Sequence, residues 1–500
     1  MGKRASYQDL ALRGQPALRQ NVHWFSQELR RGILEGRLQP GTRLPSTRGL
    51  ARQHGVARGT VVAAYEQLLL EGYLTAKIGR GTFVTDAVAD DLLEARTNRA
   101  LIRSRRPMLI RLSRQARDLV QTPFPPIMPS PPARPFASNQ PAMDLFPVDL
   151  WNRLASRRHR RSFGASLAQG DVRGHEPLRE AIAGYLGTAR GVRCSAREVV
   201  IVSGVQQALD LTARLLLEPG DAVWMEDPGY PGASRLFRAA GARVVSMPID
   251  AEGARIADAE ARAPDARLAY VTPGRQWPLG MPLALDRRLR LLAWARRARA
   301  VVFEDDYDSE YRYEGRPLGA LQGLDEAGVV VYAGTFSKLL FPSLRIGYVV
   351  LPPSLVEPFV SAKSLVDRFC PPLPQAVLCD FIVEGHFVRH IRRMREIYAH
   401  RRDTLIVEAR RELGGLLELV ECEAGMDTVG WLPDRIDDRD ATAAASKAGI
   451  DVLPLSRCTI GEAGRAGLVL GFGPVKADAI RTGVERLARA IRGLHKRSHS

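Results

Sequence analysis

Between Thr122 and Pro135 the chain carries seven prolines in fourteen residues (Pro123, Pro125, Pro126, Pro129, Pro131, Pro132 and Pro135). Each fixes φ and removes a backbone donor, so the run favours extended polyproline geometry and excludes a helix or a central strand. The protein must therefore fold as separate parts on either side of it. Ahead of the run, residues 87–121 alternate arginine (Arg99, Arg103, Arg105, Arg106, Arg111, Arg114, Arg117) with leucine, isoleucine and alanine; of the two readings this allows, an amphipathic helix and a solvated basic spacer, we favour the spacer. The expected division is an N-terminal domain at 18–86, a basic then proline-rich linker at 87–135, and a large domain at 136–500.

Charge follows the same division. The chain carries 72 Lys+Arg against 55 Asp+Glu, a net of +17. Residues 1–135 hold 22 basic and 10 acidic side chains, a net of +12, which leaves 50 against 45 for the rest. An even excess would reflect coding bias; this skew implies an anionic partner for the first quarter. Met1 to Gly14 lack an apolar signal core and no stretch approaches a membrane span, so the expected location is the cytoplasm. Five scattered cysteines without a Cys-x-x-Cys or Cys/His spacing argue against a disulfide framework or a zinc site, and no metal is expected.

Apolar residues Val22, Phe25, Leu29, Ile33 and Leu34 form a helical stripe within Leu18 to Leu38, closed by Pro40-Gly41. Pro45-Ser46-Thr47 opens a short helix to His54, Gly55 turns the chain, and another helix runs from about Ala57 to Glu71. Gly72 to Thr75 and Ile78 to Val84 read as two strands joined by a glycine hairpin with Arg80 at its tip. In Leu44-Pro45-Ser46-x-Arg48, Val56-x-Arg58-x-Thr60-Val61 and Gly79-Arg80-Gly81-Thr82 this segment resembles the winged helix-turn-helix domain of GntR-family bacterial transcription regulators. The resemblance implies double-stranded DNA as partner: Arg58 and Thr60 as base readers, Arg43 and Arg48 on phosphates, Gly79 and Arg80 at the minor groove.

Beyond the linker, strand-like runs at Val199–Val202, Ala222–Met225, Arg243–Met247, Leu268–Val271, Ala300–Glu304, Val329–Ala333 and Arg345–Val350 alternate with helical patterns. The pattern implies an α/β fold with a mainly parallel sheet, whose ligands bind at strand ends. Ser203-Gly204-Val205 follows one such run and opens a helix, suiting a phosphate. Asp305 and Tyr307 end another at i, i+2 spacing, and Ser337-Lys338 end a third with Arg345 beyond. A lysine, a carboxylate, a phenol, an arginine and an anion cradle are the set that pyridoxal phosphate requires.

With Gly174-His175-x-x-Leu178-Arg179 and Asp227-Pro228-Gly229-Tyr230-Pro231, residues 136–500 resemble aminotransferase-type, fold-type I enzymes that bind pyridoxal phosphate, with a small C-terminal α+β subdomain. That resemblance makes Lys338 the Schiff-base lysine, Asp305 the partner of the ring nitrogen, Tyr307 the phenol near the ring hydroxyl and Tyr230 a ring-stacking group. It gives the phosphate to Ser203, Gly204, Val205, Ser337 and Arg345. The two domains in this order are similar to the MocR subgroup of GntR regulators, which implies a head-to-tail homodimer, paired operator half-sites, and pyridoxal phosphate as effector or as a handle for an amino-acid or amine effector.

Four positions depart from the enzyme pattern. Trp277 stands before Pro278-Leu279-Gly280 where an asparagine usually bonds the ring hydroxyl; Pro273-Gly274-Arg275-Gln276 replaces Pro-Ser-His-Gln; Gln169 replaces a tyrosine; and Gly467 to Phe472 lacks the arginine that clamps an α-carboxylate. Transamination is accordingly expected to be weak or absent, and Arg275 is a candidate effector contact. The competing readings are an aminotransferase with an appended autoregulatory DNA-binding domain, and a DNA-binding module on a cofactor-free scaffold.

Overall fold

The computed structural model describes residues 22–86, 111–113, 116–117, 120, 133–167, 170–315, 318–461 and 464–497. Most of the expected spacer and the proline run, and Gln169, lie outside them. The chain divides into two compact units at Arg111/Leu112.

In the first unit, helix α1 (Val22–Leu34) turns Phe25, Leu29 and Ile33 inward. Helix α2 (Thr47–His54) starts where the Ser46 hydroxyl accepts from the Gly49 N–H and stops at Gly55, whose φ of 65° suits glycine. Helix α3 (Arg58–Leu70) buries Val61, Ala64, Tyr65 and Leu68 against that core. The Tyr65 hydroxyl donates to the Pro45 carbonyl at 3.0 Å and ties α3 to the loop before α2. Strands β1 (Leu74–Lys77) and β2 (Gly81–Val84) pair antiparallel from Leu74↔Val84 to Lys77↔Gly81, leaving Ile78, Gly79 and Arg80 exposed at the hairpin tip. This is a winged helix-turn-helix.

In the second unit, strands β3 (Val199–Val202), β4 (Ala222–Asp227), β5 (Arg243–Asp250), β6 (Gly253–Ala254), β7 (Leu268–Val271), β8 (Val301–Asp306), β9 (Val330–Thr335) and β10 (Gly347–Val350) form one sheet in the order β3-β10-β9-β8-β7-β4-β5-β6. β5-β4-β7-β8-β9 are parallel, and β10 runs antiparallel to both neighbours. β3 thus points the same way as β9, and the carboxyl ends of β3, β4, β7, β8 and β9 share one edge. Apolar residues fill both faces: Val200 and Val202 join one buried cluster while Val199 and Ile201 join another, and Leu268 and Tyr270 oppose Ala269 and Val271. That two-sided burial explains why these strands read as continuous apolar runs.

A second, antiparallel sheet combines β11 (Glu418–Leu419), β12 (Asp427–Trp431), β13 (Leu453–Pro454) and β14 (Gly467–Gly471) in the order β11-β12-β14-β13. The long helices His386–Glu412 and Ala477–Arg497 pack together beside it. Among the described residues no helix is long and apolar enough to cross a membrane, no His/Cys/Asp/Glu group has a metal-binding arrangement, and the five cysteines are free.

Candidate cofactor site and nucleic-acid interface

A cavity of about 290 Å³ opens at the shared carboxyl edge of the large sheet. Lys338, three residues past the end of β9, is half-buried there, and its Nζ donates to the Asn139 carbonyl at 2.8 Å. Burial presses its pKa down to about 8, against the pull of the Asp427, Asp305 and Asp308 carboxylates. Only a neutral amine attacks a carbonyl, so cofactor capture should quicken about tenfold per pH unit up to about pH 8 and level off above it. Stopped-flow growth of the visible band checks this; a climb continuing to pH 10 would show an ordinary, solvated lysine.

Asp305, in β8, accepts from the Tyr270 hydroxyl at 2.7 Å through one oxygen, while its other oxygen is buried on the cavity side without a partner. Burial raises its pKa to about 7, the Tyr270 bond working against that rise. A buried carboxylate with one unpaired oxygen lacks a cation. β8 ends at Asp306, so Tyr307 lies one residue beyond the strand rather than within it, yet both Asp305 and Tyr307 line the cavity.

The anion cradle forms where Gly204, with φ of 126°, opens the helix Val205–Leu216. Arg345 lies against it, its Nη2 3.4 Å from where a Cβ at position 204 would sit; that is ordinary contact, and it is the φ of 126° that calls for glycine there. Sequence periodicity put Arg345 at the start of a strand. It instead adopts φ of 50° after the turn Pro342–Leu344, two residues before β10, and the turn aims it at the cradle. It donates to no acceptor among the described residues. Gly204, Val205, Gln206, Ser337 and Arg345 line the cavity; Ser203 does not, its N–H donating to the Gln207 side chain at 2.8 Å. Ser337 is buried, its Oγ unpartnered.

Arg275 occupies a different place from the one expected of an effector contact. It is 2% exposed and absent from the cavity wall, and all five of its N–H donors are engaged. Nε donates to the Ala424 carbonyl, Nη1 to the Tyr307 hydroxyl at 2.6 Å and Asp308 at 3.2 Å, and Nη2 to the carbonyl and, at 3.0 Å, the carboxylate of Asp427. No donor is left for an effector carboxylate. The consequence falls on Tyr307: its oxygen accepts from a cation, so its own proton must point away from Arg275. Burial keeps that phenol's pKa well above its ordinary value, so the proton stays on and is available to donate into the cavity. Gly425 makes the arrangement feasible, since a Cβ there would fall 2.2 Å from the Arg275 Cζ.

Several lining residues carried little sequence signal. Tyr270 sits inside an apolar strand, and only its polar tip hints at a partner. Asn139 and Gln140 come from the segment just after the proline run, and each has a buried, unpartnered amide oxygen at the cavity; the Trp277 indole N–H is likewise unpartnered. Tyr230, expected to stack, lines this cavity with its hydroxyl donating to Gln206 at 3.3 Å.

In the first unit Arg48 and Arg58 are exposed, Arg58 at the first turn of α3 and Thr60 half-buried two residues on. Arg80 is exposed at the wing tip beside Gly79, whose φ is 71°. Arg43 is half-buried, its Nε 3.0 Å from where a Gly81 Cβ would lie.

Comparison with known proteins joins the two halves. Residues 25–84 match the family of bacterial regulatory proteins, gntR family, and residues 135–466 match aminotransferase class I and II. The chain is 41% identical over 470 residues to the probable rhizopine catabolism regulatory protein MocR of Rhizobium meliloti, covering 94% of this chain and 93% of that one. It belongs to the MocR-type GntR-family transcription regulators. It is also 34% identical to the HTH-type transcriptional regulator TauR of Rhodobacter capsulatus, over 97% of this chain and 98% of TauR. Among solved structures, LysN, the α-aminoadipate aminotransferase of Thermus thermophilus, complexed with N-(5'-phosphopyridoxyl)-L-leucine, superposes with a TM-score of 0.68 at 29% identity, covering 77% of this chain and 96% of LysN. The large unit of this regulator thus has the fold-type I aminotransferase fold, and pyridoxal phosphate is the cofactor of that family. The residues present fit the group: an unpaired carboxylate oxygen for a protonated ring nitrogen, an unpaired arginine and serine hydroxyl for a phosphate, and a half-buried lysine for an aldehyde.

Proposed function

We propose that this MocR-type regulator works as a cytoplasmic homodimer that reads paired operator half-sites and changes its hold on DNA according to what occupies the cavity around Lys338. The observation that carries this reading is the cavity itself. A scaffold that only dimerised would have no use for a half-buried lysine, a half-satisfied Asp305 and an unpaired Arg345 converging on one space. When bound, pyridoxal phosphate supplies an aldehyde for an amine and an electron-withdrawing ring. Lys338 holds it through Nζ; Asp305 accepts from the ring nitrogen and keeps it protonated; Tyr307 and Trp277 offer donors to the ring hydroxyl; Gly204, Val205, Ser337 and Arg345 hold the phosphate; Tyr230 flanks the ring.

Sensing is favoured over catalysis because Arg275, the cation nearest in sequence to the lost asparagine, is committed to Tyr307, Asp308 and Asp427. Among the described residues the cavity wall then contains no cation besides Lys338 and Arg345 to clamp an α-carboxylate. Half-reactions with a panel of amino acids test the enzymatic alternative, and sustained turnover would favour it. A gel shift on upstream DNA with and without pyridoxal phosphate tests the sensing role: a difference in affinity is expected, since a ligand shifts DNA binding only by preferring one arrangement of the protein.

On the DNA side, Arg58 and Thr60 take base edges, Arg43 and Arg48 take phosphates, and Gly79 and Arg80 enter the minor groove. Arg58→Ala should cost about 1–3 kcal/mol on the operator and relax specificity at one base pair, whereas Arg48→Ala should weaken all sequences alike and lower the salt slope by about one. Titrations at several salt concentrations distinguish the two outcomes; unchanged affinity in Arg58→Ala would contradict the docking.

A further inference from the structure

The helix Pro353–Val366 packs along the helix Val205–Leu216 that opens at the anion cradle. Its buried stripe runs Val356, Phe359, Lys363, so an ammonium stands where helical spacing calls for an apolar side chain. Lys363 is 0% exposed and lies outside the cavity wall. A charge buried in this way costs stability unless it is paired, and its partner is Asp367, one turn on, whose Oδ1 accepts from the Lys363 Nζ at 2.7 Å. The other Asp367 oxygen accepts from the Gln207 Nε2 at 2.7 Å, and the Gln207 Oε1 accepts from the Ser203 N–H at 2.8 Å. Three side chains thus link a buried ammonium to the backbone of the cradle.

The links have one sense. A carboxylate only accepts, so Asp367 draws the NH2 end of the Gln207 amide and turns its oxygen toward Ser203. With the amide reversed, its oxygen would face the carboxylate and its NH2 the Ser203 N–H, two repulsive contacts in place of two bonds. Lys363 holds the carboxylate in place from the other side. The resulting clamp spans a glycine: Gln207 reaches from three residues after Gly204 to the residue before it, and Gly204, at φ of 126°, is where the backbone has the most freedom to swing. No side chain caps the helix at Gly204, and the first N–H groups of that helix have no acceptor among the described residues. Their direction decides whether they converge on an anion, and the clamp sets it.

We propose that Gln207 is the positioning residue of the cradle, oriented by Asp367 and Lys363, and that it aims the N–H groups following Gly204 at the cofactor's phosphate. This rests on the reading that pyridoxal phosphate occupies the cavity. Gln207 does not line that cavity, so it acts on the backbone from behind the wall and never on the ligand.

The test compares two aldehydes on the full chain, pyridoxal phosphate and pyridoxal, each titrated by growth of the visible band. They share ring and aldehyde and differ in the phosphate, so the ratio of their dissociation constants isolates the cradle from Lys338, Asp305 and the stability of the fold. The internal hemiacetal of free pyridoxal weakens it equally for every variant and cancels from the comparison. The unsubstituted protein should prefer pyridoxal phosphate. Gln207→Leu, similar in size but without either bond, should reduce that preference at least about tenfold, the worth of one hydrogen bond to a charged group, and leave the affinity for pyridoxal unchanged. Lys363→Met combined with Asp367→Asn replaces the buried pair by neutral groups of similar size, a change that buried pairs tolerate. Asparagine can present either end of its amide to Gln207, so the preference should fall here too, by less than in Gln207→Leu. An unchanged preference in either variant would overturn the proposal, as would an equal weakening of both aldehydes in Gln207→Leu, which marks a merely structural role. Failure of the reading beneath it has a separate signature, the absence of a visible band with either aldehyde in the unsubstituted protein.

Discussion

Arg275→Leu should destabilise the large unit by about 3–5 kcal/mol, because it removes the cation from between two buried carboxylates and leaves both without compensation. Asp308 and Asp427 are each 1% exposed, and each pairs with a different Arg275 nitrogen, at 3.2 and 3.0 Å. Leucine fills part of the volume but satisfies none of five acceptor contacts. Burial already raises the Asp308 pKa to about 7 with the guanidinium present, and Arg275 is the strongest influence holding it down. In the leucine variant Asp308 should therefore be protonated at neutral pH, so that part of the loss is recovered as pH falls below 7. Adding Asp308→Asn and Asp427→Asn to the variant should restore stability further, since neutral amides carry no buried charge. Urea unfolding followed by tryptophan fluorescence measures all three; a loss below about 1 kcal/mol would show that water reaches the cluster and the pairs are screened.

The second large effect concerns the cofactor. Lys338→Ala should abolish the visible band completely rather than partly, because Lys338 is the one lysine among the residues lining the cavity. Any pyridoxal phosphate still bound would be held by the phosphate cradle and Asp305 alone and should be lost on gel filtration. Secondary structure should persist, and the cofactor-dependent change in the gel shift should vanish with the band while DNA binding itself remains. A band that survives the substitution would place the reactive amine elsewhere.

The parts of the protein governed by local rules were legible in the sequence. The α1 stripe, the Ser46 cap, the Gly55 stop and the glycine hairpin are each set by neighbours within a few residues, and the ends of the apolar strands lie within three residues of their expected positions. The order of motifs along the chain also led to Lys338, Asp305, Tyr307, Gly204 and Val205 at one cavity. What escaped is what depends on chain segments far apart. Asn139 meets Lys338 across 199 positions and Asp427 across 288, and no periodicity encodes such meetings. Arg345 was assigned to a strand because the apolar run begins beside it, whereas a left-handed turn sets its direction. Arg275 was read as an available cation because sequence shows a charge and not its partners, which come from 307, 308, 424 and 427. Ser203 stood in the right motif, but its N–H is taken by Gln207.

One pairing bears on how such a regulator can diverge. Gly425 has φ of 88°, so its turn requires glycine whether or not a guanidinium lies against it. The space that Arg275 fills therefore precedes the arginine, and a single substitution at 275 is enough to occupy it. Departure is harder: once Asp308 and Asp427 have been buried around the cation, replacing it alone leaves two buried carboxyl groups without their donor. The position behaves as a ratchet, entered in one step and left only by coordinated changes, so descendants that inherit this arginine are expected to vary among the residues lining the cavity before they vary at 275.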